Sequence, residues 1–122
     1  MLILEKLLFT GTKKDAEFEA LFDTGASISC ANPSIAKTLG GIENLLHPFE
    51  LGTAGKEKLF VTQRISLDFM LNKIRMNDTF YLVPDLDNEI IIGVPTMQKW
   101  HIKLDPRKGK IITNPRVAIL RI

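Results

Sequence analysis

Apolar and polar residues alternate along much of the chain, which is typical of half-buried β-strands and not of helices. The first third predicts a hairpin, with an apolar strand over residues 2–9, a polar turn over 10–15 and a second strand over 16–22. The alternation then breaks at residues 23–27, and a short strand is predicted over 28–31. The chain therefore begins as β-structure.

Two short helices interrupt this pattern. Asn32 is a favourable N-cap and Pro33 a favourable first-turn residue, so a helix is predicted over residues 34–39. Two consecutive glycines follow and end it. A second helix is predicted over residues 95–100, again with proline in its first turn.

The rest of the chain predicts further strands. Residues 47–83 indicate β-structure throughout, and residues 89–93 contain a continuous β-branched run that is typical of a buried strand. The predicted segments are strands over 59–67, 68–73 paired with 74–83, and 89–93, a hairpin over 101–113, and a last apolar strand over 117–122. The sum is an all-β domain with two short helices.

Composition limits the class of protein. The 122 residues, 45% of them hydrophobic, are enough for one domain with a buried core, covering residues 1–122. The formal net charge of +2 gives no reason to expect nucleic acid or a membrane as a partner. A single cysteine, Cys30, excludes an internal disulfide and is expected to be a small buried hydrophobe. With two distant histidines, neither a metal site nor a cofactor is expected.

The sequence shows neither a signal peptide nor an apolar run long enough for a membrane span. A soluble, cytoplasmic protein is therefore expected.

Asp23, Thr24 and Gly25 directly follow the apolar strand over residues 16–22. Loops at strand ends are where a rigid sheet can present a catalytic side chain. Gly25 allows a sharp turn that brings its N–H close to the Asp23 carboxylate, and Thr24 supplies a hydroxyl that can bond to backbone across a tight interface. Asp, Thr, Gly and Ser are also common turn residues, so this segment alone leaves a catalytic loop and an ordinary turn open.

The segment resembles the active-site motif of the retropepsin-like aspartic proteases, and three features occur in that family's order. Residues 23–26 read Asp-Thr-Gly-Ala after an apolar strand, and a glycine-rich turn over 52–57 lies where the family carries its flap. Two isoleucines and Gly93 precede the second helix, where the family has two apolar residues and a glycine. The resemblance covers nearly the whole chain and implies a small closed, barrel-like fold with a flap hairpin.

The resemblance also implies a function. In that family the Asp matching Asp23 activates a water that attacks a peptide carbonyl, and the Thr matching Thr24 bonds across a subunit interface. Because the site needs two carboxylates and the chain has no room for a second lobe, it implies a homodimeric aspartic endopeptidase acting on polypeptides. The interface is expected at Thr24 and at the N- and C-terminal strands, which interleave in the family. Residues expected to bind substrate are Gly25, Ala26, Ser27, Gly52, Thr53, Ala54 and Gly55.

The sequence departs from the family's pattern at two places. The predicted flap carries Lys56 and Glu57 without an apolar tip residue, and Ser27 stands where viral members often place an acid that holds the substrate backbone. The alternative to a protease is a catalytically silent relative that dimerises or binds peptides. The retained Asp23 favours the enzyme.

Other polar and aromatic residues receive structural interpretations. Asp78 sits beside turn signals and is interpreted as a surface carboxylate. Ser27 and Ser29 have no nearby histidine in the sequence, which argues against a serine nucleophile. Trp100 closes an apolar helix face and is expected to pack against the core.

Overall fold

A computed structural model gives the architecture of the chain and describes residues 1–52, 55 and 58–122. The strands are β1 (Leu2–Thr10), β2 (Asp15–Asp23), β3 (Cys30–Ala31), β4 (Ile42–Gly52), β5 (Lys58–Leu71), β6 (Ile74–Leu82), β7 (Ile90–Ile92), β8 (Lys103–Asp105) and β9 (Lys110–Ile112). The helices are α1 (Pro33–Leu39), α2 (Val94–Lys99) and a 3₁₀ helix over Pro115–Ala118. None of these helices is long and apolar enough to cross a membrane.

The main sheet closes on itself. Its strand order is β1-β2-β7-β3-β6-β5-β4, and β1 also pairs with β5. That extra pairing, Phe9 with Phe69 and Thr10 with Asp68, joins six of the strands into a barrel and leaves β4 outside it. A closed sheet has fewer open edges, so a small chain gains an enclosed core. The predicted all-β, closed, barrel-like fold with short helices is confirmed.

The β1–β2 hairpin carries the chain into the Asp-Thr-Gly loop. Its two strands pair antiparallel along their full length, from Thr10 with Asp15 to Leu2 with Asp23. Alternate side chains point inward, and Phe22 on β2 is fully buried. The period-two pattern thus sets which side chains of β2 face the core. The predicted hairpin is confirmed.

An aromatic cluster joins the strands at the barrel closure. The rings of Phe9, Phe69 and Phe80 come from β1, β5 and β6, with centroids 5.7 to 6.1 Å apart. All three side chains are buried. Burying each ring contributes about 1.5–3 kcal/mol, which helps to hold the long-range pairing of β1 with β5.

Both predicted helices form. The Asn32 side chain accepts a hydrogen bond from the Ser34 N–H at 2.9 Å, and Pro33 is the first residue of α1. Gly40, with a φ of 85°, ends that helix in a conformation that favours glycine. Helix α2 begins at Val94, one residue earlier than predicted.

The strand boundaries between residues 42 and 71 differ from the prediction. The separate strands predicted over 59–67 and 68–73 are one strand, β5, because Asp68 lies in register with Asn77 and its carboxylate pairs with Arg75 across the ladder. A charged residue at an outward position does not end a strand. Strand β4 also begins earlier than predicted, and a register shift interrupts its pairing with β5.

The predicted last strand over residues 117–122 is wrong. The Asn114 side chain accepts from the Arg116 N–H at 3.0 Å, and Pro115 starts the 3₁₀ helix. This cap favours a helical turn where the apolar pattern predicted a strand. Residues 119–122 pair with no strand in the described part of the chain.

Candidate active site

Asp23 is the last residue of β2, and its loop folds back on it. Strands β1 and β7 flank β2, through the pairings Leu2 with Asp23 and Phe22 with Ile92. The Asp23 carbonyl accepts from the Ala26 N–H at 3.1 Å, which closes a tight turn. The Asp23 Oδ1 accepts from the Gly25 N–H at 2.8 Å, the contact that the sequence predicts.

Gly25 allows this close approach to the carboxylate. A Cβ at residue 25 would lie 3.2 Å from the Asp23 Oδ1, which is tighter than most real Cβ contacts. Among the described residues, nothing else hydrogen-bonds to this carboxylate. One oxygen of the carboxylate is therefore oriented by a backbone donor.

Thr24 lies at the edge of this loop and is exposed. Its hydroxyl accepts from the Met1 ammonium at 2.9 Å, and its backbone N–H donates to the Met1 carbonyl at 3.2 Å. Thr24 also borders a mostly apolar groove of about 600 Å³, lined further by Val94, Met97, Gln98, His101, Ile102, Lys103 and Leu104. The groove therefore reaches the loop that carries Asp23 through Thr24.

The start of α2 packs directly behind the loop. The Val94 N–H donates to the Ala26 carbonyl at 2.9 Å. A Cβ on Gly93 would lie 2.8 Å from that same oxygen and closer still to the carbonyl of Ile28. Only a residue without a side chain fits between helix and loop, so the isoleucine-glycine motif and the Asp-Thr-Gly motif meet in space.

The structure brings three of the predicted substrate-binding residues together. A cavity of about 290 Å³ is lined by Thr24, Gly25, Ala26, Ser27, Val94 and Pro95. Ser27 is exposed, and Ala26 is half-buried. Residues 25–27 thus form one surface beside Asp23.

Two of the predicted flap residues, Gly52 and Gly55, are described, at the end of β4 and between β4 and β5. Gly52 ends β4, where it pairs with Lys58, and both Gly52 and Gly55 are exposed. The predictions for Thr53 and Ala54 fall outside the described residues. Neither Gly52 nor Gly55 lines the cavity beside Asp23.

A buried polar network supports the loop, and the sequence did not predict it. The side chains of Ser29 and Thr96 are only 3% and 1% exposed, and their hydroxyl oxygens are 2.5 Å apart. The Gly93 N–H donates to the Ser29 Oγ at 2.9 Å, and the Thr96 hydroxyl donates to the Asp78 Oδ2 at 2.6 Å. Asp78 therefore lies within a network and is not the free surface carboxylate that was expected. Its partners are far apart in sequence, so periodicity gives no signal for it.

Comparison with known proteins identifies the family of the chain. The family model described as aspartyl protease matches residues 9–96, well over half of the chain. The chain belongs to the aspartyl protease family. The matched segment includes Asp23, the loop that follows it and Gly93.

A solved structure shares the fold. The chain is similar to the retroviral protease-like domain of Ddi1 from Leishmania major, with a TM-score of 0.70 and 18% sequence identity. The match covers 94% of this chain and 90% of that one. A likeness at this identity concerns the fold, and it confirms the retropepsin-like barrel. A search of curated proteins gave no significant match.

Cys30 follows the loop over residues 23–27, here called the catalytic-type loop, but is not suited to be a nucleophile. It lies in β3 and is buried, as the sequence predicts. Loss of hydration on burial raises the pKa of the Cys30 thiol to about 11. Because the thiolate is the reactive form, the thiol is inert near neutral pH. Cys30 is therefore a buried core residue next to the loop.

Proposed function

We propose that the chain is an aspartic endopeptidase that acts as a homodimer and hydrolyses peptide bonds with one Asp23 from each subunit. The observation that carries this proposal is the Asp23 carboxylate at a strand end, held on one oxygen by the Gly25 N–H at 2.8 Å and beside an open cavity. Aspartic protease chemistry uses two carboxylates, and the sequence contains Asp-Thr-Gly once. The second carboxylate then comes from a second copy.

The proposed reaction needs no cofactor. Two carboxyl groups about 3 Å apart cannot both ionise, so the two Asp23 side chains share one proton. The ionised Asp23 takes a proton from water, whose oxygen attacks the peptide carbonyl carbon, while the protonated Asp23 gives its proton to the carbonyl oxygen.

The resulting diol then breaks down. The Asp23 that gained a proton passes it to the amide nitrogen, the C–N bond breaks, and a diol hydroxyl returns its proton to the other Asp23. The products are a free carboxyl end and a free amino end. The pair again holds one proton, so the cycle can repeat.

The edge of β1 supports pairing with a second copy. One edge of β1 pairs fully with β2, but the other pairs with β5 only at Phe9 and Thr10. Over residues 2–8 that second edge has no strand partner in the ranges the structure describes. Leu2 and Leu4 there are 61% and 58% exposed. An open, apolar edge strand is a template for pairing with another chain.

Two further features fit the same interface. Thr24, at the edge of the catalytic-type loop, is proposed to bond to the partner copy, as its match does in the family. Near the C-terminus, Leu120 and Ile122 expose their apolar side chains. We place residues 119–122 in the interface as well, although they form no strand in the single chain.

The substrate is proposed to be a polypeptide that lies along Gly25, Ala26 and Ser27. These residues line the cavity of about 290 Å³ beside Asp23. The β4–β5 hairpin is proposed to close over the bound peptide as a flap. Closing such a site excludes water and brings the peptide carbonyl against the carboxylates.

The test uses purified protein, a mixed peptide library and mass spectrometry of the products from acidic to neutral pH. Asp23→Asn keeps the shape of the side chain and removes the acid. Asp15→Asn is the matched control, since Asp15 is exposed at the other end of β2. The parent and Asp15→Asn should cleave the same peptides, and Asp23→Asn should cleave none.

Two results would contradict the protease. Equal cleavage by Asp23→Asn would place the activity elsewhere. A dimer that binds peptides but cleaves none of them would indicate the alternative, a catalytically silent domain for dimerisation or peptide binding.

A further inference from the structure

We propose that Thr96 is a positioning residue for Asp23, acting as the centre of a buried hydrogen-bond relay from β6 to the catalytic-type loop. The relay consists of Gly93, Ser29, Thr96 and Asp78. This inference rests on the proposed function, but its first measurement does not require activity.

The relay has a single direction. The Thr96 hydroxyl hydrogen is used on the Asp78 Oδ2, at 2.6 Å. Since a hydroxyl donates only once, the Ser29 hydroxyl must donate to Thr96 across the 2.5 Å between their oxygens. The Ser29 oxygen in turn accepts the Gly93 N–H. Each donor therefore has one acceptor, and the relay ends on a carboxylate, where hydrogen bonds are strongest.

The relay continues into the loop through the backbone. Gly93 is followed by Val94, whose N–H donates to the Ala26 carbonyl at 2.9 Å. The Ala26 N–H donates to the Asp23 carbonyl at 3.1 Å. An unbroken series of hydrogen bonds and peptide units thus links Asp78 on β6 to Asp23. A shift at Thr96 moves both the helix start and the turn that aims the carboxylate.

Helix α2 needs this support because it is short. It has six residues, and no side-chain hydrogen bond caps its N-terminus. Isolated helices of that length are not stable in water, so tertiary contacts set its orientation. Its far end is held by the Trp100 Nε1, which donates to the Asn77 carbonyl at 2.8 Å. The end that faces Asp23 depends on the buried relay.

The experiment compares Thr96→Val, which removes the hydroxyl and keeps the volume, with Thr96→Ser, which restores a hydroxyl. Thr38→Val is the control, because the Thr38 hydroxyl bonds to Ser34 within α1. Amide hydrogen exchange is followed by NMR at Ala26 and Val94 and across the β1–β2 hairpin. Steady-state cleavage gives kcat and KM.

Thr96→Val should raise exchange at Ala26 and Val94 by about tenfold more than in the β1–β2 hairpin, because a local support is lost. It should lower kcat by about tenfold and change KM by less than about twofold, since the carboxylate is misaimed while the cavity remains. Thr96→Ser and Thr38→Val should stay close to the parent in both measurements.

A uniform rise in exchange over the whole chain would overturn the inference, because it would show loss of overall stability and no local role. Parent-like exchange at Ala26 and Val94 would overturn it as well. If Thr96→Val does not fold, Ser29→Ala breaks the relay at its other hydroxyl and is judged by the same exchange rates. A parent that cleaves nothing contradicts the proposed function, and the exchange data still decide whether the relay orders the loop.

Discussion

Replacing Gly93 with alanine is predicted to force α2 away from the loop that carries Asp23. The new Cβ would lie 2.8 Å from the Ala26 carbonyl oxygen and closer still to that of Ile28. Both are backbone atoms, which cannot rotate out of the way as a side chain can. The φ of Gly93 is −94°, a value that alanine adopts freely, so the penalty is steric and not conformational.

The size of the effect follows from these distances. A comfortable carbon contact is about 3.5 Å or longer, so the helix or the loop must move by roughly 1 Å. Overpacking of this kind costs about 1–3 kcal/mol. The movement also strains the bond from the Val94 N–H to Ala26, so the upper end of that range is expected. A loss near 3 kcal/mol lowers the Tm by roughly 10 °C for a chain of this size.

The assay is thermal and urea unfolding followed by circular dichroism, with cleavage measured where both proteins are folded. Gly52→Ala is the stability control, because a Cβ there would meet nothing within 4 Å. The control should stay within about 0.5 kcal/mol of the parent. If Gly93→Ala is as stable as the parent and cleaves at the same rate, the close packing of α2 on the loop neither stabilises the protein nor positions Asp23.

Three further outcomes are expected. Leu4→Glu should be folded, monomeric by sedimentation and inactive, because Leu4 lies on the proposed pairing edge of β1. The control is Leu46→Glu, since Leu46 is 88% exposed on β4. A dimeric Leu4→Glu would count against that edge. Because burial raises the pKa of Cys30 from 9.0 to about 11, the unfolded chain ionises first. As the pH rises from 9 to 11, the free energy of unfolding of the parent, measured in urea, should therefore fall by about 3 kcal/mol more than that of Cys30→Ala. An equal fall in the two proteins would contradict this prediction. Phe9→Ala should lower the free energy of unfolding by about 3–5 kcal/mol in the same assay, and a loss below about 1 kcal/mol would show that the aromatic cluster does not hold the closure.

Local patterns predicted the elements whose cause is local. The alternation in β1 and β2, the Asn32 cap with Pro33, and the β-branched run of β7 all produced the structures expected of them. Where a neighbour decides, the pattern misled. Asp68 continues β5 because Arg75 lies across the ladder. The error at residues 117–122 is of another kind: Asn114 and Pro115 form a local cap like that of α1, and the prediction followed the apolar residues instead.

The candidate site divides in the same way. The turn at Asp23 and the contact from Gly25 follow from residues that are adjacent in sequence, so they could be predicted. The relay through Ser29 and Thr96 joins residues 67 apart and depends on how the barrel closes. No single-sequence pattern marks such a pair, and Thr96 therefore received no role.

The proposal that two copies share one site is tested most directly by mixing the parent with Asp23→Asn. The parent concentration is held constant, at a level where sedimentation shows dimers, and an equal amount of the variant is added and allowed to exchange subunits. If each dimer needs an Asp23 from both chains, random pairing puts half of the parent chains into inactive mixed dimers, and cleavage falls to about half. A rate unchanged by the variant would show that each chain works alone and would contradict the shared site.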